Sequence, residues 1–414
     1  MLINDDAMKH IYIFSNQCTA ENYGVGTYIQ QLLSFIKKEN VFLSVVILQS
    51  DKIEFSIFKD DKQGIRYIYI PKCVGGNFIE DPNRAIEYYK VILYLLIPHI
   101  SIKDENIFHF QYTNVISFVQ LLKERYMNSK IIVTLHYMEW AFILKGNTTW
   151  FRTIIQQSPN KVLIQEENIV YLSYVRSKQL FLSVEKTICL SQYAYNLLQN
   201  DFQIPSDKLI FIPNGLAEKE NYIQDQENHS IKTNEEEKII LFVGRLDENK
   251  GLHYLLAAFR RLTNVYPSTH LIIVGDGDYN TFLGECIGLW NRISFTGKVS
   301  KSILYSLYKI ATVGVLPSLN EQCSYVAIEM MKHGIPIVGT DSTGLSEMIM
   351  NDINGYKVPI INNSIDIGML ADKLLVCFNN EKRMILSKGA LSLYHQKYTI
   401  EEMRKEYHNL YAVL

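Results

Sequence analysis

The stretch PSLNEQCSYVAIEMMKHGIP, residues 317–336, decides the reading of this chain. It continues a short β-type run, VGVLPS, and changes character at Ser324, a residue type that caps helices well. An apolar-rich helix follows and stops at Gly334, with Pro336 close behind, a normal helix ending. Glu321 therefore sits on a loop at the carboxyl edge of a strand, and Glu329 lies eight residues on, inside the helix. Eight residues make about two helical turns plus a small rotation, so both acids can face one ligand. The first amides of that helix, at Ser324, Tyr325 and Val326, have no carbonyl a turn earlier to bond, which makes the terminus an anion site. Hydroxyls for Glu321, a phosphate for the helix terminus and a diol for Glu329 are the parts of a nucleotide diphosphate sugar. The plain alternative is a solvated loop acid and a surface helix acid.

Outward from this stretch, short apolar runs alternate with helical patterns. In residues 1–216 the β-type runs are HIYIFS, LSVVILQS, IRYIYIP, IFHFQY, KIIVTLHY, KTICLS and KLIFIPNG. Helical patterns fall near 26–38, 83–97, 115–126, 165–184 and 192–200. Residues 217–237 are polar and nearly devoid of core side chains, and read as a linker or an exposed insertion. The alternation then restarts over 238–396, with strands at KIILFVGRL, HLIIVGDG, ISFTGKV, VGVLPS, IPIVGT and GYKVPI and helices at GLHYLLAAFRRLTNVY, near 279–289 and at SKSILYSLYKIA. Strands apolar on both faces and joined by helices imply a parallel sheet covered on both sides. The expected fold class is thus α/β: two doubly wound domains facing across a cleft, with ligands beyond the carboxyl ends of the strands. A last helix, within 397–414, has no strand after it and is expected to join the first domain.

Four further groups of residues fit the same kind of ligand. In FVGRLDENKGLHYLL, Arg245 follows a strand and Lys250 precedes a helix, so two cations converge on one loop; a guanidinium fork and a point charge suit a diphosphate. In NYGVGTYIQQLL, Gly24 and Gly26 mark the first strand-to-helix turn, where backbone amides can approach a phosphate. His136, at the end of TLHY, can reach a sugar oxygen or serve as a buried structural histidine; His109 in IFHFQY reads as structural. Gly277, in GDGDYN, leaves room for a nucleotide or merely permits the turn.

Bulk composition narrows the classes. The chain has 414 residues, 48% apolar and 20% charged, and a formal net charge of −2, so nothing in the total charge argues for nucleic acid. Its six cysteines are scattered singly without Cys-x-x-Cys, which speaks against zinc and disulfide scaffolds and for a reduced, cytoplasmic setting. The acidic start MLINDDAMKHIYIFS makes a poor signal peptide, and apolar runs such as Val91–Ile97 are too short to span a bilayer. Peripheral contact with the inner face of a membrane, through an amphipathic helix of the first domain, stays open.

Taken in order, Gly-Arg-Leu…Lys-Gly, Val-Gly-Asp-Gly, Pro-Ser…Glu-x7-Glu and Gly-Ile-Pro-Ile-Val-Gly-Thr-Asp resemble the retaining glycosyltransferases of family 4, over about 238–359. The resemblance implies the GT-B fold, two Rossmann-like domains with the active site between them. It implies Glu321 on the hydroxyls of the transferred sugar, Glu329 on the nucleotide ribose, and Arg245 and Lys250 on the diphosphate. It places His136 at the donor sugar, Gly24 and Gly26 at the phosphates, and the amides of Ser324, Tyr325 and Val326 in the anion site. The implied partners are a nucleotide-sugar donor, most often UDP-linked, and an acceptor that is a saccharide, lipid, protein or peptide. No cofactor and no metal are expected, because the cations and helix amides can stabilise the leaving diphosphate. One departure stands out: Gln322-Cys323-Ser324 replaces the family's glycine-containing run after the first Glu, and bears on how the sugar is seated.

Three rivals remain: a nucleotide-sugar epimerase on the same fold, a non-catalytic transferase-like partner subunit, and a dinucleotide-dependent oxidoreductase. The partner subunit fits poorly with the presence of Glu321, Arg245 and Lys250. The oxidoreductase lacks its full glycine fingerprint and its acidic ribose residue. A nucleophilic Cys323 has no neighbouring base in sequence.

Overall fold

The structure, a computed structural model, describes residues 9–17, 24–37, 41–61, 63–72, 82–157, 164–218, 237–361 and 364–414. Most of the polar stretch 217–237 lies outside the described residues. The chain divides into two compact units: unit 1 holds residues 1–140, 149–212 and 403–414, and unit 2 holds 141–148 and 213–402.

Unit 1 is built on β1 (Lys9–Asn16), β2 (Phe42–Ser50), β3 (Ser56–Asp60), β4 (Ile65–Pro71), β5 (Glu105–Phe110), β6 (Lys130–Leu135), β7 (Lys186–Cys189) and β8 (Leu209–Phe211), in the order β3-β4-β2-β1-β5-β6-β7-β8. All neighbours pair in parallel except β3, which lies antiparallel to β4 at the edge. β3 is solvent-exposed and carries little apolar periodicity, which is why its sequence does not announce it. The helices are α1 (Gly24–Ile36), α2 (Pro82–Leu96), α3 (Ile116–Arg125), α4 (Glu139–Ile143), α5 (Thr148–Gln157), α6 (Gln165–Ser183) and α7 (Gln192–Asn200). Among the described residues, none of the helices is long and apolar enough to cross a membrane.

Unit 2 is built on β9 (Lys238–Val243), β10 (Thr269–Val274), β11 (Ile293–Gly297), β12 (Val313–Leu316), β13 (Ile337–Thr340) and β14 (Gly355–Val358), all parallel, in the order β11-β10-β9-β12-β13-β14. The chain thus reverses its direction of winding between β9 and β12, and the loops leaving their carboxyl ends flank the crevice where such sheets bind ligands. The sheet is covered by α8 (Leu252–Val265), α9 (Asn280–Leu283), α10 (Lys301–Ile310), α11 (Tyr325–Lys332), α12 (Leu345–Met348), α13 (Ile367–Val376) and α14 (Asn380–Lys397). The helix expected near 279–289 ends early: α9 stops at Leu283, a 3-10 turn spans Gly284–Cys286, and Gly288 turns back at φ +79. Ile240, Phe242, Leu271, Ile273, Val313, Val315 and Val338 of the strands, with Leu255 and Phe259 of α8, form its core.

Met330 of α11 lies over Gly314 of β12: a Cβ on that glycine would meet the Met330 sulfur at 2.3 Å, so the methionine side chain would have to shift. α11 is capped as its sequence requires, with the Ser324 Oγ accepting from the Ala327 amide at 3.3 Å, and Gly334 ends it at φ +66. The last helix, α15 (Ile400–Val413), packs from Met403 onward within unit 1. There Tyr407 bonds Tyr28 of α1, and the Tyr411 hydroxyl lies 2.9 Å from Nδ1 of His109.

Candidate functional site

Two loops leave the carboxyl ends of β9 and β12, and they are docked on each other. In the first, Asp247 caps a turn at Glu248–Lys250, its Oδ1 accepting from the Lys250 amide at 3.1 Å. Gly251 then adopts φ +68, and a Cβ on it would stand 2.0 Å from the Pro317 carbonyl oxygen. The Leu319 amide donates to the Asn249 carbonyl at 2.8 Å. This contact carries Lys250 to the second loop, where its ammonium pairs with the Glu321 carboxylate. Both side chains are about one-fifth exposed, at 22% and 17%, so the pair is sheltered yet open on one side. Arg245, on the same loop as Lys250, pairs with Asp247 at 2.9 Å and is 35% exposed.

Lys250 and Glu321 were assigned to different parts of a ligand, the diphosphate and the sugar. The structure joins them to each other. A carboxylate and an ammonium in partial shelter gain from pairing when nothing else meets their charge.

Gly277 is explained by packing. It has φ +148, and a Cβ there would lie 2.7 Å from both Cβ and O of Leu246; its neighbour Gly275, at φ +143, presses on the Gly244 carbonyl in the same way. The turn lies against the Arg245 loop, where the Leu246 amide donates to Asp276 O at 2.8 Å. The turn by itself requires glycine at 277.

Of the three amides expected at the α11 anion site, that of Ser324 donates to the Met348 sulfur at 3.3 Å. The plain reading of Glu329 as a surface acid needs correction: it is 2% exposed, ion-paired with Lys301 of α10, and accepts a 2.8 Å hydrogen bond from Tyr308. The sequence placed it on the helix but could not show that the inner face of α11 meets α10. Lys301 opens α10 and Tyr308 lies two turns further on; nothing in the sequence signals that either meets Glu329.

Cys323 is buried, and that burial pushes its thiol up to about 12. Its carbonyl accepts from the Asn214 amide nitrogen at 2.7 Å. A protonated, enclosed thiol is no nucleophile.

Within unit 1, His136 follows β6 and is half-buried. Its Nε2 lies 2.9 Å from Gln111 Oε1, and its ring stands edge-on to Tyr28 at 4.6 Å. Burial holds the imidazole down to about 3, so it is neutral and offers one donor and one acceptor. His109 is fully buried and bonded at both nitrogens, to Tyr411 at 2.9 Å and Thr134 at 2.7 Å, which is the structural role expected of it. Gly24 and Gly26 lie in the first turn of α1 rather than in the turn before it; most of that turn, 18–23, is outside the described residues. A Cβ on Gly24 would meet nothing within 4 Å. Among the described residues no group of three or more His, Cys, Asp or Glu is arranged to hold a metal ion.

Two doubly wound units with these strand orders form the GT-B class of fold. Residues 223–391, most of unit 2, match the model of the family described as glycosyl transferases group 1. An uncharacterised glycosyltransferase of Methanocaldococcus jannaschii is 33% identical over 227 residues, 51% of this chain and 56% of that protein, so the match spans little more than half of the relative. Sucrose-phosphate synthase from Thermosynechococcus elongatus has a similar structure, with a TM-score of 0.76 over 98% of each chain at 18% identity. Anabaena HepE in complex with UDP and glucose follows at 0.67, covering 98% of this chain and 99% of that one, at 13% identity.

Proposed function

We propose that the protein is a retaining glycosyltransferase that moves a hexose-type sugar from a nucleotide diphosphate sugar, UDP-linked, to an acceptor. The observation that carries this reading is the Lys250–Glu321 pair, set at the carboxyl edge of the switch-point strands beside Arg245. A donor entering there brings a diphosphate that competes with Glu321 for Lys250. It frees the carboxylate to accept from sugar hydroxyls. Arg245 exchanges Asp247 for phosphate oxygens.

The anomeric carbon–oxygen bond breaks as negative charge builds on the diphosphate, and Arg245, Lys250 and the first amides of α11 stabilise that charge without a metal. The acceptor oxygen bonds to the anomeric carbon on the face the diphosphate leaves, and its proton passes to a leaving phosphate oxygen. His136, neutral and already donating through Nε2 to Gln111 Oε1, has Nδ1 left to accept from a sugar hydroxyl. The Lys301–Glu329 pair keeps Glu329 from the ribose unless it opens; its first role is to hold α10 against α11.

Donor hydrolysis tests the reading. The full chain is incubated with UDP-glucose or UDP-N-acetylglucosamine, with and without a chelator, and free sugar is measured. Slow release that survives chelation is expected. Glu321→Gln should lower it at least tenfold while leaving UDP affinity within threefold. Release that requires added manganese would sink the metal-free scheme, and epimerised nucleotide sugar without release would favour the epimerase.

A further inference from the structure

We propose that Thr343 is a positioning residue that fixes Glu321 through its main chain. The inference rests on the reading of Glu321 as the sugar contact given above.

Thr343 lies in the turn between β13 and α12 and adopts φ +39. A β-branched residue is strained in that region, where glycine, asparagine or aspartate are the ordinary occupants. Such a conformation persists only where its surroundings hold it, and strained backbone gathers at functional sites. Here the surroundings are Glu321 itself. The Thr343 hydroxyl accepts from the Glu321 amide at 2.9 Å and donates to the Glu321 carbonyl at 2.6 Å. The next amide, that of Gly344, donates to the same carbonyl at 2.8 Å. One turn therefore binds both polar groups of the Glu321 main chain, while Lys250 holds its carboxylate.

The loop before Glu321 is packed as well. Gly146, at φ +76, lies so close that a Cβ on it would stand 2.3 Å from the Leu319 carbonyl oxygen and 3.6 Å from Cγ2 of Thr343. A turn selected for stability alone would carry glycine or asparagine at φ +39. Threonine at this position is accounted for by the two bonds its hydroxyl makes to Glu321. It is a clamp on a reacting-site residue, and it is separated from Glu321 by 22 positions in the chain.

Three variants separate positioning from folding. Thr343→Val keeps the shape and removes the hydroxyl; Thr343→Ser keeps the hydroxyl; Thr343→Gly relieves the backbone and removes the hydroxyl. Each is assayed for sugar release from UDP-glucose and UDP-N-acetylglucosamine, for UDP affinity by calorimetry, and for thermal midpoint, beside Glu321→Gln. The clamp predicts release at least tenfold slower for Thr343→Val with UDP affinity within twofold, and rescue to within threefold by Thr343→Ser. Thr343→Gly should melt no lower than the unaltered protein and yet be as slow as Thr343→Val. Undiminished release from Thr343→Val or Thr343→Gly would overturn the clamp, and so would turnover and UDP affinity falling together with the melting point. If Glu321→Gln is slow and Thr343→Val is not, the clamp alone fails. If Glu321→Gln is unaffected, or the unaltered protein releases neither sugar, the donor-site reading fails and the clamp with it.

Discussion

Replacing Lys301 by methionine tests how the acid of α11 is held. Glu329 is 2% exposed, and its carboxylate has two partners, the Lys301 ammonium and the Tyr308 hydroxyl at 2.8 Å. Methionine keeps the length and removes the charge, leaving a buried carboxylate with one neutral donor. Breaking a buried ion pair on one side costs about 3–5 kcal/mol, because the surviving charge stays desolvated. Lys301 is itself 32% exposed, so solvent can reach the gap, and the lower end, about 3 kcal/mol, is the better figure. With a urea slope of about 2–3 kcal/mol per molar for a unit of this size, the midpoint should fall by about 1 M or more. Glu329→Gln should cost less, about 1–2 kcal/mol, since the partly exposed lysine can turn to water. The double variant should then be more stable than the sum of the two losses predicts, by 1 kcal/mol or more. Urea unfolding followed by circular dichroism measures all four corners of the cycle. Additive losses, or a Lys301→Met cost below 1 kcal/mol, would refute the claim that Glu329 is a buried, lysine-dependent charge.

Three other outcomes follow from the same geometry. Arg245→Ala should weaken UDP binding by about tenfold or more, the worth of a charge-assisted hydrogen bond of roughly 1.5–3 kcal/mol, and unchanged calorimetric affinity would contradict its role at the diphosphate. Gly251→Ala forces a Cβ toward the Pro317 carbonyl at a positive φ, so it should lower stability by about 2 kcal/mol or more and displace Lys250 from Glu321; an unshifted thermal midpoint would show that the two loops are not tightly docked. Burial holds His109 and His136 down to about 3, so the unfolded chain binds their protons first as pH drops below about 6.5. Stability is therefore greatest above that value and falls toward pH 4, by up to about 1.4 kcal/mol per pH unit for each histidine. His109→Asn should flatten that slope, and an unchanged pH profile in the variant would assign the loss to other groups.

Much of the local architecture could be read directly. VGVLPS announces a buried strand because every residue of it is apolar or small, and Ser324 and Gly334 mark the helix ends because capping and left-handed turns depend only on near neighbours. The two runs of alternating strands and helices gave two doubly wound units, and the cations at 245 and 250 fell at a strand's carboxyl end as expected. Edge strand β3 escaped notice because an exposed strand needs no apolar alternation, and the helix near 279–289 was cut short by a 3-10 turn ahead of Gly288, which turns the backbone at φ +79.

What each charged group meets was settled by the tertiary structure. The order of strands in the sheet makes β9 and β12 neighbours although 69 residues separate them in the chain, and that adjacency sets Lys250 against Glu321. The packing of α11 within unit 2 turns Glu329 inward to Lys301 and Tyr308 of α10 instead of outward. The turn holding Thr343 is likewise brought to Glu321 by the pairing of β12 with β13. Residue types and spacing fix which elements form, because helices, strands and caps answer to interactions a few residues long. The pairing of a lysine with one carboxylate or another depends on distances between elements, which exist only once the sheet has ordered them.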